Sequence, residues 1–185
     1  MLKNRITLQI PDWVAGFLDP RPAVHPSTEE RMRLAIALAG QNIREQTGGP
    51  FGAAVFGPAG DLVSVGVNLV LSSGLSVWHA EMVALSLAQE AQGTHDLSSI
   101  GAFELVSSCE PCAMCLGAIP WTGIRSLVCG ARDADARAVG FDEGAKPAGW
   151  PTALQARGIR VLTGILASES RLVLEDYARS GGVIY

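Results

Sequence analysis

The sequence has few aromatic residues, no long apolar run and no cluster of basic residues. Phenylalanine, tryptophan and tyrosine together make up 6% of the 185 residues. The apolar runs are much shorter than the roughly 20 residues that a membrane-spanning helix needs, so we expect no membrane association. The 14 basic residues are outnumbered by 18 acidic ones, which gives a net charge of −4. Proteins that bind nucleic acid usually carry a basic face, so the composition favours a small-molecule substrate.

Cysteine is also scarce, and three of the four cysteines lie within residues 109–115. A chain of this length with 48% hydrophobic residues does not need disulfides for stability, so this spacing favours metal-bound thiolates in a reducing compartment. The basic residues Lys3 and Arg5 do not introduce a signal peptide. Pro11 and Asp12 interrupt the apolar stretch that follows them, and no small-residue cleavage site comes after it. We therefore expect a cytoplasmic protein.

The periodicity of apolar residues predicts helices alternating with strands. A capping box at Ser27 and Glu30 should start the first long helix. Further helices are expected from about His79 to Gln92, from Pro111, over residues 151–157 and from a cap at Ser168. Strands are expected at 52–56, 63–69, 103–106, 126–129 and 160–162, and residues 130–149 are predicted to be a loop. This order predicts an α/β fold, a three-layer α/β/α sandwich around a mixed five-stranded sheet.

Proline placement divides the chain. Residues 1–26 contain four prolines and are predicted to be an N-terminal extension packed over the main domain, with at most a short helix and no required function. Residues 27–185 should form one domain. Within it, residues 181–185 follow a double glycine and are a possible lid or exchanged segment.

Two short motifs supply the ligands of a zinc ion. His79 and Glu81 are separated by one residue, and Cys112 and Cys115 lie three apart behind a proline. One imidazole and two thiolates offset the charge of Zn²⁺ and leave a coordination position for water, which is the pattern of a catalytic zinc site with one ion per chain. Glu81 would then act as the general acid and base, provided that His79 starts its helix or precedes it.

A closed structural zinc site is the alternative, with Cys109 and Cys129 as additional ligands. Cys109 would need an abrupt change of backbone direction to converge on the other two cysteines. A cluster of four cysteines would also leave His79 and Glu81 without a role. Cys109 and Cys129 are therefore better interpreted as small buried residues.

These motifs resemble the cytidine-deaminase-like superfamily, and within it the bacterial guanine deaminases. The resemblance runs from about Ala35 to Tyr185. It is carried by the segments 48–53, 79–81, 108–119 and 140–143, by Asn68 and by the final tyrosine. The resemblance implies that His79, Cys112 and Cys115 bind zinc and that Glu81 transfers protons.

The resemblance also implies a base-binding site. Phe51 would lie against a purine, while Asn68 and the backbone around Ala80 would bind its edge. Glu143 would face the substrate, as a recognition group or a second proton carrier, at a position where the family has aspartate. Tyr185 would close the pocket, in its own subunit or in the partner of a homodimer with exchanged segments. Each residue also has a purely structural alternative: core packing for Phe51, a turn cap for Asn68 and solvent exposure for Glu143.

Trp121 lies just after the predicted zinc helix, where it would either form part of the pocket wall or simply pack. The function predicted from all these residues is zinc-dependent conversion of guanine to xanthine and ammonia, with amino-triazines as possible further substrates. Within the same superfamily, the alternatives are deamination of cytosine or of adenosine in tRNA. Outside the enzymes, the alternative is a catalytically silent scaffold stabilised by zinc.

Overall fold

A five-stranded mixed sheet forms the centre of the protein. The computed structural model describes residues 4–185. In chain order the strands are β1 (Gly52–Phe56), β2 (Leu62–Val67), β3 (Glu104–Cys109), β4 (Ser126–Ala131) and β5 (Arg160–Leu162). Their order across the sheet is β2-β1-β3-β4-β5. β1 runs antiparallel to both β2 and β3, whereas β3, β4 and β5 are parallel.

Eight α-helices surround the sheet within the described residues. They are α1 (Trp13–Leu18), α2 (Thr28–Arg44), α3 (Val70–Ser73), α4 (Ala80–Gln92), α5 (Ala113–Ala118), α6 (Asp133–Ala138), α7 (Trp150–Ala156) and α8 (Ala167–Arg179). No helix in this part of the chain combines the length and the apolar composition needed to cross a membrane.

The alternation of side chains along the strands produces two separate apolar cores. Ala54 and Phe56 of β1 face α2, together with Val106 and Val128 of the central strands. The intervening positions, such as Val55, face the other side of the sheet, where α4 and α7 pack. Because each face of the sheet is covered by helices, the predicted α/β/α sandwich with a mixed five-stranded sheet is confirmed.

One edge of the sheet collects the ends of several elements. β2 ends at Val67, β3 ends at Cys109 and the antiparallel β1 begins at Gly52, all at this edge. The helices α4 and α5 begin close to it. In open α/β sheets, the crevice beyond the carboxyl ends of parallel strands is the usual place for a ligand.

Two local predictions were wrong. Residues 130–149 are not entirely loop, because α6 forms there. It has no apolar repeat; instead the Asp135 carboxylate accepts the backbone N–H of Arg132 (2.8 Å), and Arg137 pairs with Asp133 one turn earlier (2.6 Å). Ser168 does not cap the last helix, since α8 already begins at Ala167 after a left-handed residue, Leu166 (φ 52°).

The amino-terminal arm is exposed over residues 4–7 and packs on the domain from Leu8 onwards; residues 1–3, including Lys3, lie outside the described part. Val14 of α1 is buried in the core beneath α2. Val24 forms a β-bridge with Asp61, beside the β1–β2 turn. The division into residues 1–26 and 27–185 stays a prediction.

Candidate metal centre and adjoining cavity

Three predicted metal ligands converge at the edge of the sheet described above. His79 is the extended residue immediately before α4, and Cys112 is the extended residue immediately before α5. Cys115 lies one turn into α5. The ligand atoms of these three residues all lie within 4.8 Å of one another, and Cys112 Sγ is 3.4 Å from His79 Nδ1.

The chemistry of this donor set fits zinc with an open coordination position. Among residues 4–185, these three are the group of His, Cys, Asp and Glu side chains close enough to share an ion. Cys109 and Cys129 are buried and unoxidised, and they do not belong to the group. Structural zinc sites normally have four protein ligands, whereas catalytic ones have three and leave one position for water or substrate.

Burial and mutual contact make the two thiols strongly unequal. The hydrogen bond from the Cys115 thiol lowers the pKa of Cys112 to about 4 against the opposing effect of burial, and His79 contributes in the same direction. The same hydrogen bond raises the pKa of Cys115. Without a cation, this contact favours a thiolate at Cys112 and a proton shared with Cys115. A cation in this position would replace that proton, because thiolates and not thiols bind metal.

His79 and Glu81 reach the same space because the helix begins between them. His79 has extended backbone angles (φ −69°, ψ 159°), and Glu81 lies in the first turn of α4. Glu81 is only 6% exposed. Burial, and then the negative charge of Cys112, raise the pKa of its carboxyl. A buried carboxyl with a raised pKa can both accept and return a proton near neutrality.

A cavity of about 330 Å³ opens beside the three metal ligands. Its size suits a single small molecule. Predicted site residues and several others form its walls: Phe51, Asn68, Val70, Ser76, His79, Glu81, Glu110, Cys112, Phe141, Asp142, Glu143 and Tyr185.

One wall of the cavity is aromatic. The ring of Phe141 packs edge to face against Phe51 (centroids 4.9 Å apart) and against Tyr185 (5.6 Å). Such an arrangement gives a flat heterocycle apolar surface to lie on. In this structure Tyr185 occupies the cavity of its own chain, and the Tyr177 hydroxyl holds the preceding segment by donating to the carbonyl of Val183 (3.0 Å).

Next to the aromatic wall, the cavity presents a fixed amide. Asn68 Oδ1 accepts hydrogen bonds from the backbone N–H of Val70 (3.2 Å) and from the hydroxyl of Tyr185. Both acceptor sites of this oxygen are therefore used within the protein. The NH₂ group of Asn68 is the part of this side chain that is left to serve as a donor for a ligand.

Glu143 completes the polar part of the cavity. Its backbone carbonyl accepts the N–H of Ala113, the first residue of α5, at 2.9 Å. Burial, together with the charges of Cys112 and Glu81, raises the pKa of its carboxyl to about 8. When protonated, this carboxyl can donate a hydrogen bond.

Comparison with known proteins agrees with this geometry. Residues 26–131 match the family model described as the cytidine and deoxycytidylate deaminase zinc-binding region. The chain belongs to this family. The match includes all three metal ligands and Glu81, so a zinc-dependent deaminase site is what this edge of the sheet contains.

Relatives of the chain include guanine deaminases. The chain is 36% identical to the guanine deaminase of Bacillus subtilis over 115 residues, which cover 62% of this chain and 71% of that protein. A solved guanine deaminase structure from Nitrosomonas europaea is 42% identical, with a TM-score of 0.90, and covers 97% of this chain and 99% of its own. Another solved structure, in complex with 2,6-diaminopurine, is 45% identical with the same TM-score and covers 97% and 95% of the two chains.

Two of the predicted substrate-binding residues of this deaminase do not line the cavity. Trp121 was predicted either to form part of the pocket wall or simply to pack; in the structure it is 77% exposed on a separate surface, with Arg157 over its ring. Trp121 follows the zinc helix directly in sequence, but the short helical turn at residues 119–121 directs its side chain away from the cavity. Ala80 is fully buried under β2, so only its backbone is available for the predicted contact.

Sequence reasoning missed two residues that shape the site. Phe141 lies in the sequence motif at 140–143 but had no predicted role, although its ring connects Phe51 with Tyr185. Lys146 is almost fully buried, and its ammonium donates to the carbonyl of Pro111 (2.9 Å) and pairs with Asp133 (3.0 Å). It thus ties the 140–149 segment to the start of the zinc helix. A lone lysine in a loop carries no sequence signal for this role.

Proposed function

We propose that this protein is a zinc-dependent guanine deaminase, which hydrolyses guanine to xanthine and ammonia. One observation carries the proposal: an open three-ligand metal centre and a buried glutamate share a small cavity with an aromatic wall. The similarity over nearly the whole chain to solved guanine deaminases supports the choice of base.

His79, Cys112 and Cys115 would hold the zinc ion. When bound, zinc supplies a Lewis acid that lowers the pKa of a coordinated water to about 7. The amino-terminal ends of α4 and α5 both point at this centre, and their N–H groups favour the negative charge of thiolates. One extended residue before each helix, His79 before α4 and Cys112 before α5, thus places a metal ligand at each of these helix ends.

Glu81 is the proton carrier of the proposed reaction. It takes a proton from the attacking water as oxygen bonds to C2 of guanine, and passes this proton to ring nitrogen N3. It then moves the proton of the new C2 hydroxyl to the amino group, so that the C2–N bond breaks and ammonia leaves. The raised pKa of Glu81, which follows from its burial and from the negative charge of Cys112, makes the carboxylate a better proton acceptor for this transfer.

The remaining cavity residues would recognise the base. Phe51 and Phe141 offer their rings to the purine, and Tyr185 closes over it while holding Asn68 in one orientation. The NH₂ group of Asn68 would donate to an acceptor on the purine, and the backbone at Ala80 would bind the same edge. The set accepts a flat, amino-substituted heterocycle, so amino-triazines remain possible further substrates.

Glu143 has two roles open to it. As a protonated carboxyl, it would donate to a ring nitrogen; as a second carrier, it would relay a proton towards the departing ammonia. A variant with glutamine separates these, since glutamine keeps a donor but cannot carry a proton. Retention of turnover in Glu143→Gln would assign recognition, and its loss with unchanged ligand binding would assign proton transfer.

The test of the proposal is a substrate panel with ammonia release as readout. Wild-type protein loaded with one zinc per chain should release ammonia from guanine and not from cytosine, and should not retard tRNA in a gel. Glu81→Gln should keep the zinc but lose at least about a hundredfold in kcat, which is the usual contribution of a general acid–base residue. Turnover of another base in place of guanine, or full activity of this variant, would overturn the assignment.

We further propose that the protein is a cytoplasmic homodimer. The exposed ring of Trp121 and the partly exposed Met114 of α5 place apolar surface outside the cavity, which supports association of two chains. Analytical ultracentrifugation measures the oligomeric state directly. A mixture of chains carrying either Glu81→Gln or Tyr185→Ala would regain activity only if segments 181–185 are exchanged between subunits.

A further inference from the structure

A line of hydrogen bonds connects the amino-terminal arm to the base-binding wall. Trp13 Nε1 in α1 donates to the hydroxyl of Thr47 (3.0 Å), and this hydroxyl donates to Oδ1 of Asn42 (2.6 Å). The NH₂ group of Asn42 donates in turn to two backbone carbonyls, those of Gly49 and Asn68, at 2.9 Å each. Every donor in this line points in the same direction, from the arm to the site.

Asn42 is the branch point of the line. It lies in the last turn of α2, and its side chain is completely buried (0% exposed). Both protons of its amide are used by the two carbonyls, and its oxygen is used by Thr47. The hydroxyl of Thr47 accepts from Trp13 and is left to donate to Asn42, so it favours the same orientation of the amide as the two carbonyls do.

The two carbonyls belong to the segments that carry the base-binding side chains. Gly49 O also accepts the N–H of Phe51 (2.9 Å), and the N–H of Asn68 donates to Phe51 O (3.1 Å). The segments are packed so closely that a Cβ on Gly48 would lie 1.8 Å from the carbonyl oxygen of Asn68. Asn42 thus joins the backbone before Phe51 to the backbone of Asn68.

We infer that Asn42 is a positioning residue for base recognition. Thr47, which is itself held by Trp13 of the arm, keeps the Asn42 amide in the required orientation. The inference rests on the proposed function only in naming guanine as the bound base. It gives the arm a role that its sequence alone did not indicate. Hydrogen bonds in such a chain polarise one another, so removing any member weakens those that follow.

The cleanest perturbations remove one polar atom and keep the shape. Thr47→Val deletes the hydroxyl, and we expect KM for guanine to rise about tenfold with kcat within about twofold, because the buried oxygen of Asn42 loses the donor that holds the amide in place. Trp13→Phe should raise KM about threefold by the same logic for a single neutral hydrogen bond. Thr47→Ser keeps the hydroxyl and should restore the wild-type KM.

A matched control separates positioning from general loss of stability. Thr122 is buried, whereas Thr47 is partly buried, and the hydroxyl of Thr122 donates to the carbonyl of Ile119 (2.8 Å), away from the cavity. Thr122→Val should lower the unfolding temperature about as much as Thr47→Val and leave KM unchanged. If both variants change KM equally, the line of hydrogen bonds has no specific role.

A double-mutant cycle tests whether the effect passes through Asn68. Asn68→Ala removes the amide that the line is inferred to position, so adding Thr47→Val to it should raise KM by less than about twofold. Additive effects of the two changes would refute the inference. Asn42→Leu, which leaves both carbonyls without a donor, should give the largest loss if it folds, but the test does not depend on it.

A readout without substrate keeps this result distinct from failure of the proposed function. Hydrogen exchange of ligand-free protein should become about tenfold faster at residues 49–51 and 68–70 in Thr47→Val and Trp13→Phe, but not in Thr122→Val. Unchanged exchange in these segments would overturn the inference whatever base the enzyme uses. Absence of guanine turnover with faster exchange would overturn only the proposed function.

Discussion

Replacing Gly66 with alanine should displace the helix that carries half of the catalytic site. Gly66 lies in β2 directly under the start of α4. An added Cβ would lie 2.1 Å from the carbonyl oxygen of Ala80 and 2.5 Å from the backbone nitrogen of Ala84. Ordinary contacts begin near 3.4 Å, so the first turn of α4 must move by about 1.3 Å. Both contacts are with backbone, so no flexible side chain can absorb the shift.

This displacement is large on the scale of metal coordination. His79 immediately precedes Ala80, and ligand distances in metal sites vary by only about 0.2 Å. We therefore expect Gly66→Ala to lose most of its zinc and its deaminase activity. Overpacking itself should also reduce the free energy of unfolding by about 1–3 kcal/mol.

Gly52→Ala provides the comparison, because it creates a similar clash on the other face of the sheet. Its Cβ would lie 2.4 Å from the carbonyl oxygen of Ala35 in α2, a helix without metal ligands. Both variants should unfold at lower temperature in calorimetry, whereas mass-spectrometric metal analysis should find one zinc per chain only in Gly52→Ala. A Gly66→Ala protein with full zinc content and wild-type kinetics would refute the reasoning.

Three further predictions concern the tail, the arm and the zinc loop. Tyr185→Phe keeps the ring but loses the hydroxyl that donates to Asn68, so KM for guanine should rise about fivefold in steady-state assays; an unchanged KM would contradict this. Burial lowers the pKa of His25 in the folded protein, so the unfolded chain takes up a proton at this residue at higher pH than the folded one does. The contribution of neutral His25 to the free energy of unfolding should therefore be present above about pH 6.5 and be lost as the pH falls towards the lowered pKa of the folded state. Urea unfolding at several pH values measures this decline, and His25→Phe should reduce it. Lys146→Met removes the donor to Pro111 and should reduce the free energy of unfolding in urea by about 1–3 kcal/mol, because the lysine is almost fully buried while its carboxylate partners keep some exposure to solvent; a reduction below about 0.5 kcal/mol would show that the contact is dispensable.

Features that follow from short sequence motifs and from the order of the elements were predictable from the sequence. The capping box at Ser27 and Glu30 forms as expected, with both reciprocal hydrogen bonds present. The order of helices and strands was sufficient to predict the mixed sheet. The spacing of His79, Cys112 and Cys115 was sufficient for the metal centre, because the chemistry of zinc restricts which residues can share an ion.

Features that depend on distant contacts were not predictable. Trp121 is adjacent to the zinc helix in sequence, yet the direction of its side chain depends on a single short turn. Asn42 looks like any polar residue near a helix end, and its three partners are known only once α2 is packed against the start of β1. The helix α6 forms through ion pairs and a backbone cap, which leave no apolar repeat to detect.

The cavity is assembled from two groups of residues with separate tasks. The metal ligands and the proton carrier Glu81 all lie within residues 79–115, whereas the aromatic rings of the wall, Phe51, Phe141 and Tyr185, lie outside that stretch. Libraries that randomise only these three aromatic positions can therefore search for enzymes acting on other amino-substituted rings while the metal ligands and Glu81 stay unchanged. The same separation offers natural evolution a route to a new base through changes outside the metal centre.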